Sequence, residues 1–442
     1  MTSANRRSQE HYRNLAEAWP TIDRSDDYKT LVTANGNAQT PFHRWFHMKE
    51  AYSHNLLQML KEDERGVKGL ADWESVLDPF AGSGTTCLSA ATSEVSADLI
   101  VGIERNPALR TIAAAKLLGL SLGAAGVDKL AQAAQTLDFA AKPTTTKSTT
   151  LNNPNYFDRE SVSQLLHVNG QIDSLDDYDT RLLLKATLAS SVEAAGRLRR
   201  DGRTLRLDKT RIPVSPEIAF KEKLSVVLDD MRGAQPRPDM VAHVLDGDAR
   251  ELALPTTVGE PGFSRVVFSP PYPNNIDYTE VYKLENWVLN AWQEPSDMRT
   301  QRLATLRSHP SVLFPEVYAY QSSTNREAID ALVDPLLDCV PNDRYAKGRR
   351  QLIRGYVDDM WQVLRAARRR ASDRGSRLYC VVGNSVHGDS ETGFVIAADV
   401  LIAAVSPFAG WAPVEIRVAR RLVRRALDSE FVRESIVILE PV

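Results

Sequence analysis

The 442 residues are too many for one ordinary domain and too few for three large ones, a length that suits a large α/β domain carrying insertions. Hydrophobic residues make up 43% and charged residues 25%, and 54 Lys+Arg stand against 57 Asp+Glu for a net charge of −3. A disordered polyelectrolyte, a collagen-like chain and a membrane protein are excluded on that balance, and a uniformly basic nucleic-acid binder is disfavoured. Cys87, Cys339 and Cys380 form no CxxC pair, and the eight histidines show no HExxH cluster. The expectation is a cytoplasmic chain without a disulfide framework or a metal centre, since the first residues also lack an apolar signal core.

In chain order, residues 1–40 read as a polar lead-in and 41–62 as a loop entering a helix. A strand closes at Leu77 and runs into Asp78-Pro-Phe-Ala-Gly-Ser-Gly-Thr-Thr, followed by a helix from Cys87. A second strand, Leu99 to Ile103, ends at Glu104 and leads into an Ala/Leu-rich helix from Pro107. Residues 121–239 interrupt this α/β alternation with a mostly helical insertion, in which 197–211 hold seven basic and two acidic residues. The alternation resumes with a strand from Met240 into Asp246-Gly-Asp248, and another from Arg265 into Ser269-Pro-Pro-Tyr272. Residues 280–292 are helical in pattern, and 293–350 form a second insertion. A long helix (Gln351 to Ala371), a strand (Leu378 to Val382) and a helix from Gly393 follow. Two antiparallel strands, Val414 to Arg420 and Ser435 to Leu439, end the chain. Residues 41–120 and 240–442 thus read as one Rossmann-like, doubly wound domain of about seven strands with an antiparallel edge.

Two motifs carry chemistry. A glycine turn between a strand and a helix lets a ligand approach the backbone, and the helix amides favour a negative group. Glu104, about 20 residues on, stands where a carboxylate accepts hydrogen bonds from ribose hydroxyls. No GK[ST] follows the glycines, which excludes a P-loop, and the missing third glycine weakens a dehydrogenase reading. In Ser269-Pro-Pro-Tyr272 the prolines fix the backbone and leave carbonyls free to accept, beside a hydroxyl and an aromatic face. Such a set suits a planar base with an exocyclic amine; a proline-stiffened turn with a surface tyrosine accounts for the same residues without function.

Taken together, DPFAGSGTT and SPPY resemble the amino-group DNA methyltransferases that use S-adenosylmethionine. The resemblance covers most of 41–120 and 240–442. It implies that Asp78, Phe80, Gly82, Gly84 and Thr85 hold the methionine end of the cofactor, Glu104 the ribose, and Asp248 the neighbourhood of the adenine. Lys49-Glu50-Ala-Tyr52-Ser53 resembles the cofactor-side segment that precedes the glycine loop in such enzymes, and reads equally as an ordinary helix start. Ser269, Pro270, Pro271 and Tyr272 would form the catalytic tetrad, acting on a base flipped from the duplex. Serine at the first position implies cytosine N4 as the target; adenine N6, an RNA methyltransferase and a non-catalytic nucleic-acid-binding module are the alternatives. None of the cysteines has the context a carbon-5 enzyme requires.

DNA is the implied partner, together with a cognate restriction endonuclease or other defence-system proteins. Arg197, Arg199, Arg200, Arg203 and Arg206 of the basic run, with Asn274 and Asn275, are the candidate DNA contacts. Both insertions, 121–239 and 293–350, are candidates for reading the target, and the basic run favours 121–239 as the target-recognition subdomain. The glycine loop precedes the tetrad by about 185 residues, although this spelling is commoner in family members of the opposite order. Trp287 is expected to pack within a helix, His387 to be a loop histidine, and Asn384-Ser385 to lie near the pocket.

Overall fold

The computed structural model describes residues 3–422 and 429–442, apart from 143, 203, 257, 259–261, 275 and 389–392. Its strands are β1 (Thr21–Asp23), β2 (Ser75–Asp78), β3 (Leu99–Ile103), β4 (Leu198–Arg200), β5 (Leu205–Leu207), β6 (Val241–Leu245), β7 (Arg265–Phe268), β8 (Arg377–Gly383), β9 (Ser385–His387), β10 (Phe394–Ile396), β11 (Trp411–Arg421) and β12 (Arg433–Pro441). Eight of them form one sheet in the order β1-β11-β12-β8-β7-β2-β3-β6. Strands β6, β3, β2, β7 and β8 run parallel, and β12 lies antiparallel between β8 and β11. This is a Rossmann-like, doubly wound sheet with one strand more than expected.

The strands are apolar on both faces because both are covered. Ile100, Val267 and Val381 face one core with Trp45, Ile112 and Leu184; Leu77, Val266 and Cys380 face the other with Met360, Trp361 and Leu401. Helix Ala346–Arg370 crosses the second face, and buries Tyr356, Met360 and Leu364 along one side.

Three expectations change. The sheet has eight strands, because the lead-in contributes β1, whose Ile22 pairs in parallel with Arg417 of β11. The antiparallel strand is internal rather than at the edge: β12 is hydrogen-bonded on both sides. The segment after Gly393 starts as a strand, β10, paired with β9, before helix Ala398–Val405 begins. Phe394-Val-Ile is β-branched and aromatic, which favours pairing over helix.

Within 121–239, four helices accompany the antiparallel hairpin β4–β5. They are Val127–Gln135, Arg159–Asp173, Tyr178–Ser191 and Pro216–Gly233. Their apolar sides join the same core as the sheet, through Leu165, Leu184, Phe220 and Met231. The stretch Pro107–Gln135 is long and apolar enough to cross a membrane, by length and composition only; half of its most apolar 18 residues are buried within the protein.

Candidate active site

Strand order brings the two sequence motifs together. From β2 the chain builds β3 and β6 on one side, then returns to lay β7 on the other side of β2, with Val76 opposite Arg265. In such a sheet a crevice opens where the order reverses, beyond the carboxyl ends of the strands. The glycine loop leaves β2 at that end and Ser269 leaves β7 beside it. Phe80 of the first loop packs on Phe268, the residue before Ser269, with ring centroids 5.5 Å apart. Phe80, Gly82, Glu104, Asp248 and Ser269 to Tyr272 line one cleft enclosing about 910 Å³, part of it open to solvent.

The glycine loop is held by its own backbone. Gly82 and Gly84 have φ of 53° and 88°, a region that favours glycine. A Cβ on Gly82 would stand 3.0 Å from Met48 Sδ, and one on Gly84 3.1 Å from the Ala113 Cβ. Glu104 accepts from the Gly82 amide at 2.7 Å and the Asn106 amide at 2.6 Å, so the carboxylate fixes the loop and faces the cleft. Asp78, Gly84 and Thr85 are not among the residues lining the cleft. Asp78 is buried, accepts from the Phe80 amide at 2.8 Å and from Thr86 Oγ1, and Thr86 in turn bonds the Tyr52 hydroxyl. Burial pushes Asp78 up to about 7, against the opposing pull of Thr86 and the Phe80 amide. From below, the buried Lys116 donates to the Ser83 carbonyl at 3.0 Å, and desolvation brings its ammonium down to about 7.

The tetrad loop is held by side chains from distant strands. The Tyr272 hydroxyl donates to Glu434 Oε1 of β12 at 2.7 Å, and Ser269 Oγ donates to that hydroxyl at 3.3 Å. Burial, with the Glu434 charge second, pushes the Tyr272 phenol well above its ordinary value. The Tyr272 ring lies against Gly383, where any Cβ would stand 2.7 Å from Cε2. The Pro273 carbonyl accepts from Ser385 Oγ at 2.6 Å and from His387 Nε2 at 2.8 Å, which requires the proton on Nε2. Desolvation brings His387 down to about 4, so it is a neutral clamp rather than a proton carrier. Asn384 is buried on Asp399 instead of in the pocket, and Trp287 packs edge-on against Trp292. Glu434 and Gly383 were missed in the sequence, where their only signal is the run of strand residues that carries each; His387, expected in a loop, instead ends strand β9.

Glu50, from the Lys49–Ser53 segment, lines the cleft and accepts from the Tyr282 hydroxyl. Its buried Oε1 has no hydrogen-bond partner among the described residues. Asp248 pairs with Arg105 at 2.8 Å and Arg250 at 2.7 Å; burial raises it, but these partners leave it below its ordinary value. Asn274 caps its own loop by accepting from the Ile276 amide at 2.7 Å. Asn275 and Arg203 lie outside the described residues.

Of the remaining basic candidates, Arg200 needs correction. It is buried, pairs with Glu193 at 2.6 Å and with Glu285, and stacks over Tyr282 at 5.1 Å, so it is an internal strut and not a free phosphate contact. The alternation of hairpin β4–β5 turns Arg200 inward and its neighbour outward. Arg199 and Arg206 are exposed and sit directly opposite each other across the hairpin; Arg206 pairs with Asp201 at 3.2 Å. Arg197 is half-buried near Asp158 at 3.3 Å.

Known methyltransferases match more than half of the chain. One, the type II methyltransferase M.BsoBI of Geobacillus stearothermophilus, is 27% identical over 304 residues, covering 62% of this chain and 57% of the relative. This chain resembles the type II methyltransferases. A second relative, M.AvaI of Nostoc sp. strain PCC 7120, is 24% identical over 291 residues, covering 58% of this chain and 56% of the relative. The chain thus spans little more than half the length of these relatives, and the family resemblance carried by DPFAGSGTT and SPPY holds. No protein-family model matches. The rRNA methyltransferase aviRa of Streptomyces viridochromogenes aligns over 89% of both chains at 9% identity, but the TM-score is 0.32; the fold rests on the strand order instead.

Proposed function

We propose that the chain is a site-specific DNA methyltransferase that moves a methyl group from S-adenosylmethionine to the exocyclic N4 of cytosine in a flipped base. The observation that carries this reading is the single cleft shared by the glycine loop, Glu104 and Ser269-Pro-Pro-Tyr272. The cleft's residues suit the cofactor. Glu104 retains acceptor capacity for ribose hydroxyls, and Phe80, Ile103 and Leu306 offer apolar walls. The orphaned Glu50 oxygen suits an ammonium group. Gly82 would let the methionine end reach the backbone, with Asp78, Gly84 and Thr85 supporting the loop from behind, and Asp248 would stand toward the adenine. Bound there, the cofactor supplies an electrophilic methyl on sulfonium sulfur.

The amine of cytosine is a weak nucleophile, because its lone pair is delocalised into the ring. Ser269 Oγ and the Pro270 carbonyl would accept its two protons and turn the lone pair out of conjugation, with Pro271 stiffening the turn. The Tyr272 ring would stack on the base. Positioning then does most of the work, and neutral acceptors stabilise the charge that develops on nitrogen. Segment 121–239 is proposed to read the target. Arg199 and Arg206 would touch phosphate, since like charges placed opposite each other on a hairpin repel until an anion lies between them. Within a reducing cytoplasm the enzyme would act alongside a cognate restriction endonuclease.

The test is to express the chain in a host and digest the host DNA to nucleosides. Mass spectrometry is expected to find N4-methylcytosine; N6-methyladenine would reassign the base, and no methylated base would overturn the reading. Modification-sensitive sequencing of the same DNA gives the recognition site.

A further inference from the structure

Methylating an exocyclic amine leaves a nitrogen with one proton too many, and that proton needs a destination. The tetrad loop contains a connected path for it. Ser269 Oγ donates to the Tyr272 hydroxyl at 3.3 Å, so its own lone pairs stay free to accept from an amine. The Tyr272 hydroxyl donates to Glu434 Oε1 at 2.7 Å. Glu434 is 4% exposed and sits on β12, opposite Gly383 of β8. Its second oxygen is held by Arg420 of β11, at 2.7 Å to Nη2 and 3.1 Å to Nε. Gly383 removes the side chain that would otherwise push the Tyr272 ring away. The groups facing Glu434 are Arg420 from β11, and Tyr272 and Tyr278 from the loop after β7.

We propose that Glu434 is the proton acceptor of methyl transfer, reached through Ser269 and Tyr272. This rests on the methyltransferase reading above. The nitrogen lone pair forms the new C–N bond as the methyl–sulfur bond breaks, and the bonding pair stays on sulfur. The nitrogen's surplus proton passes to Ser269 Oγ, the Ser269 proton to the Tyr272 oxygen, and the Tyr272 proton to the Glu434 carboxylate. Charge balances: the sulfonium and the carboxylate are both neutralised, and a thioether, a secondary amine and a carboxylic acid result. An exocyclic ammonium conjugated to a pyrimidine ring is a strong acid, so a carboxylate suffices to take its proton. Arg420 pairs with that carboxylate and holds its second oxygen in place. Glu434 touches none of the reacting atoms and is a positioning and relay residue rather than a catalytic one.

The experiment measures single-turnover transfer of labelled methyl to duplex DNA across pH for the wild type, Tyr272→Phe and Glu434→Gln. Binding of S-adenosylmethionine and of DNA is followed by calorimetry in parallel. Tyr272→Phe keeps the ring and breaks the path; Glu434→Gln keeps an acceptor for the tyrosine but takes no proton. Both are expected to bind cofactor and DNA as the wild type does, and to transfer roughly 100-fold more slowly or worse. Glu434→Gln is also expected to change the shape of the pH–rate profile, which a merely structural role would leave as it is in the wild type. Wild-type rates in Tyr272→Phe, or an unchanged rate and pH profile in Glu434→Gln, would overturn the relay alone. A wild type that binds cofactor but methylates no DNA would overturn the relay and the proposed function together.

Discussion

The two loops at the mouth of the cleft are built by opposite means. The glycine loop is closed by backbone conformation and by carboxylates at fixed short distances in sequence: Asp78 within the loop and Glu104 at the end of the next strand. The tetrad loop takes its shape from β8, β9 and β12, through Gly383, His387 and Glu434, more than a hundred residues downstream. A loop of the first kind is preformed as soon as two neighbouring strands pair. One of the second kind exists only after the far half of the sheet has assembled, and its side chains can be altered without touching the first.

Single substitutions should separate the two. Gly82→Val forces a branched side chain into a left-handed conformation and against Met48, and is expected to weaken S-adenosylmethionine binding by roughly 100-fold or more, read by calorimetry. Tyr272→Ala is expected to do the reverse: cofactor affinity within a few-fold of wild type, with methyl transfer lost. Equal damage to both readouts from either change would erase the distinction. Arg200→Ala tests whether the hairpin β4–β5 depends on the tetrad side, because it strands Glu285 and Glu193 without their partner. It should cost about 3–5 kcal/mol of stability in urea melts, as breaking a buried pair does.

A gentler effect belongs to the glycine-loop side. Burial raises Asp78 in the folded chain from 3.8 to about 7, so the folded state binds this proton more tightly than the unfolded one. Its contribution to stability is complete below pH 3.8 and is lost as pH rises through about 7. Asp78→Asn mimics the neutral acid and should flatten that part of the stability–pH curve; an unchanged slope would mean that the carboxyl is ionised throughout. The smallest effect is expected from Arg199→Ala, which should lower the salt dependence of DNA binding by a slope of about 1 while leaving the sequence preference unchanged.

The same contrast explains what could be read in advance. The alternating pattern of apolar runs and glycine turns gives the sheet, and the glycine loop with Glu104 is legible because its partners are near in sequence. The strand β1 was hidden because Thr21–Asp23 is three exposed residues whose partners, the β11 backbone and Arg421, lie at the far end of the chain. Arg200 looked like its neighbours in a basic run; only the register of a three-residue strand turns it inward. Glu434 and His387 carry no motif, since each acquires its part solely through the pairing of β12 with β8 and of β9 with β10.

The neighbouring position of β2 and β7 has a consequence for connectivity. The cleft depends on which strand ends lie side by side, and not on which the ribosome makes first. A rearranged gene that encoded β7 and its tetrad ahead of β2 and its glycine loop would present the same walls, provided the new joins span the surface. What selection must preserve is an adjacency; the order of the exons or modules that supply it is free to drift.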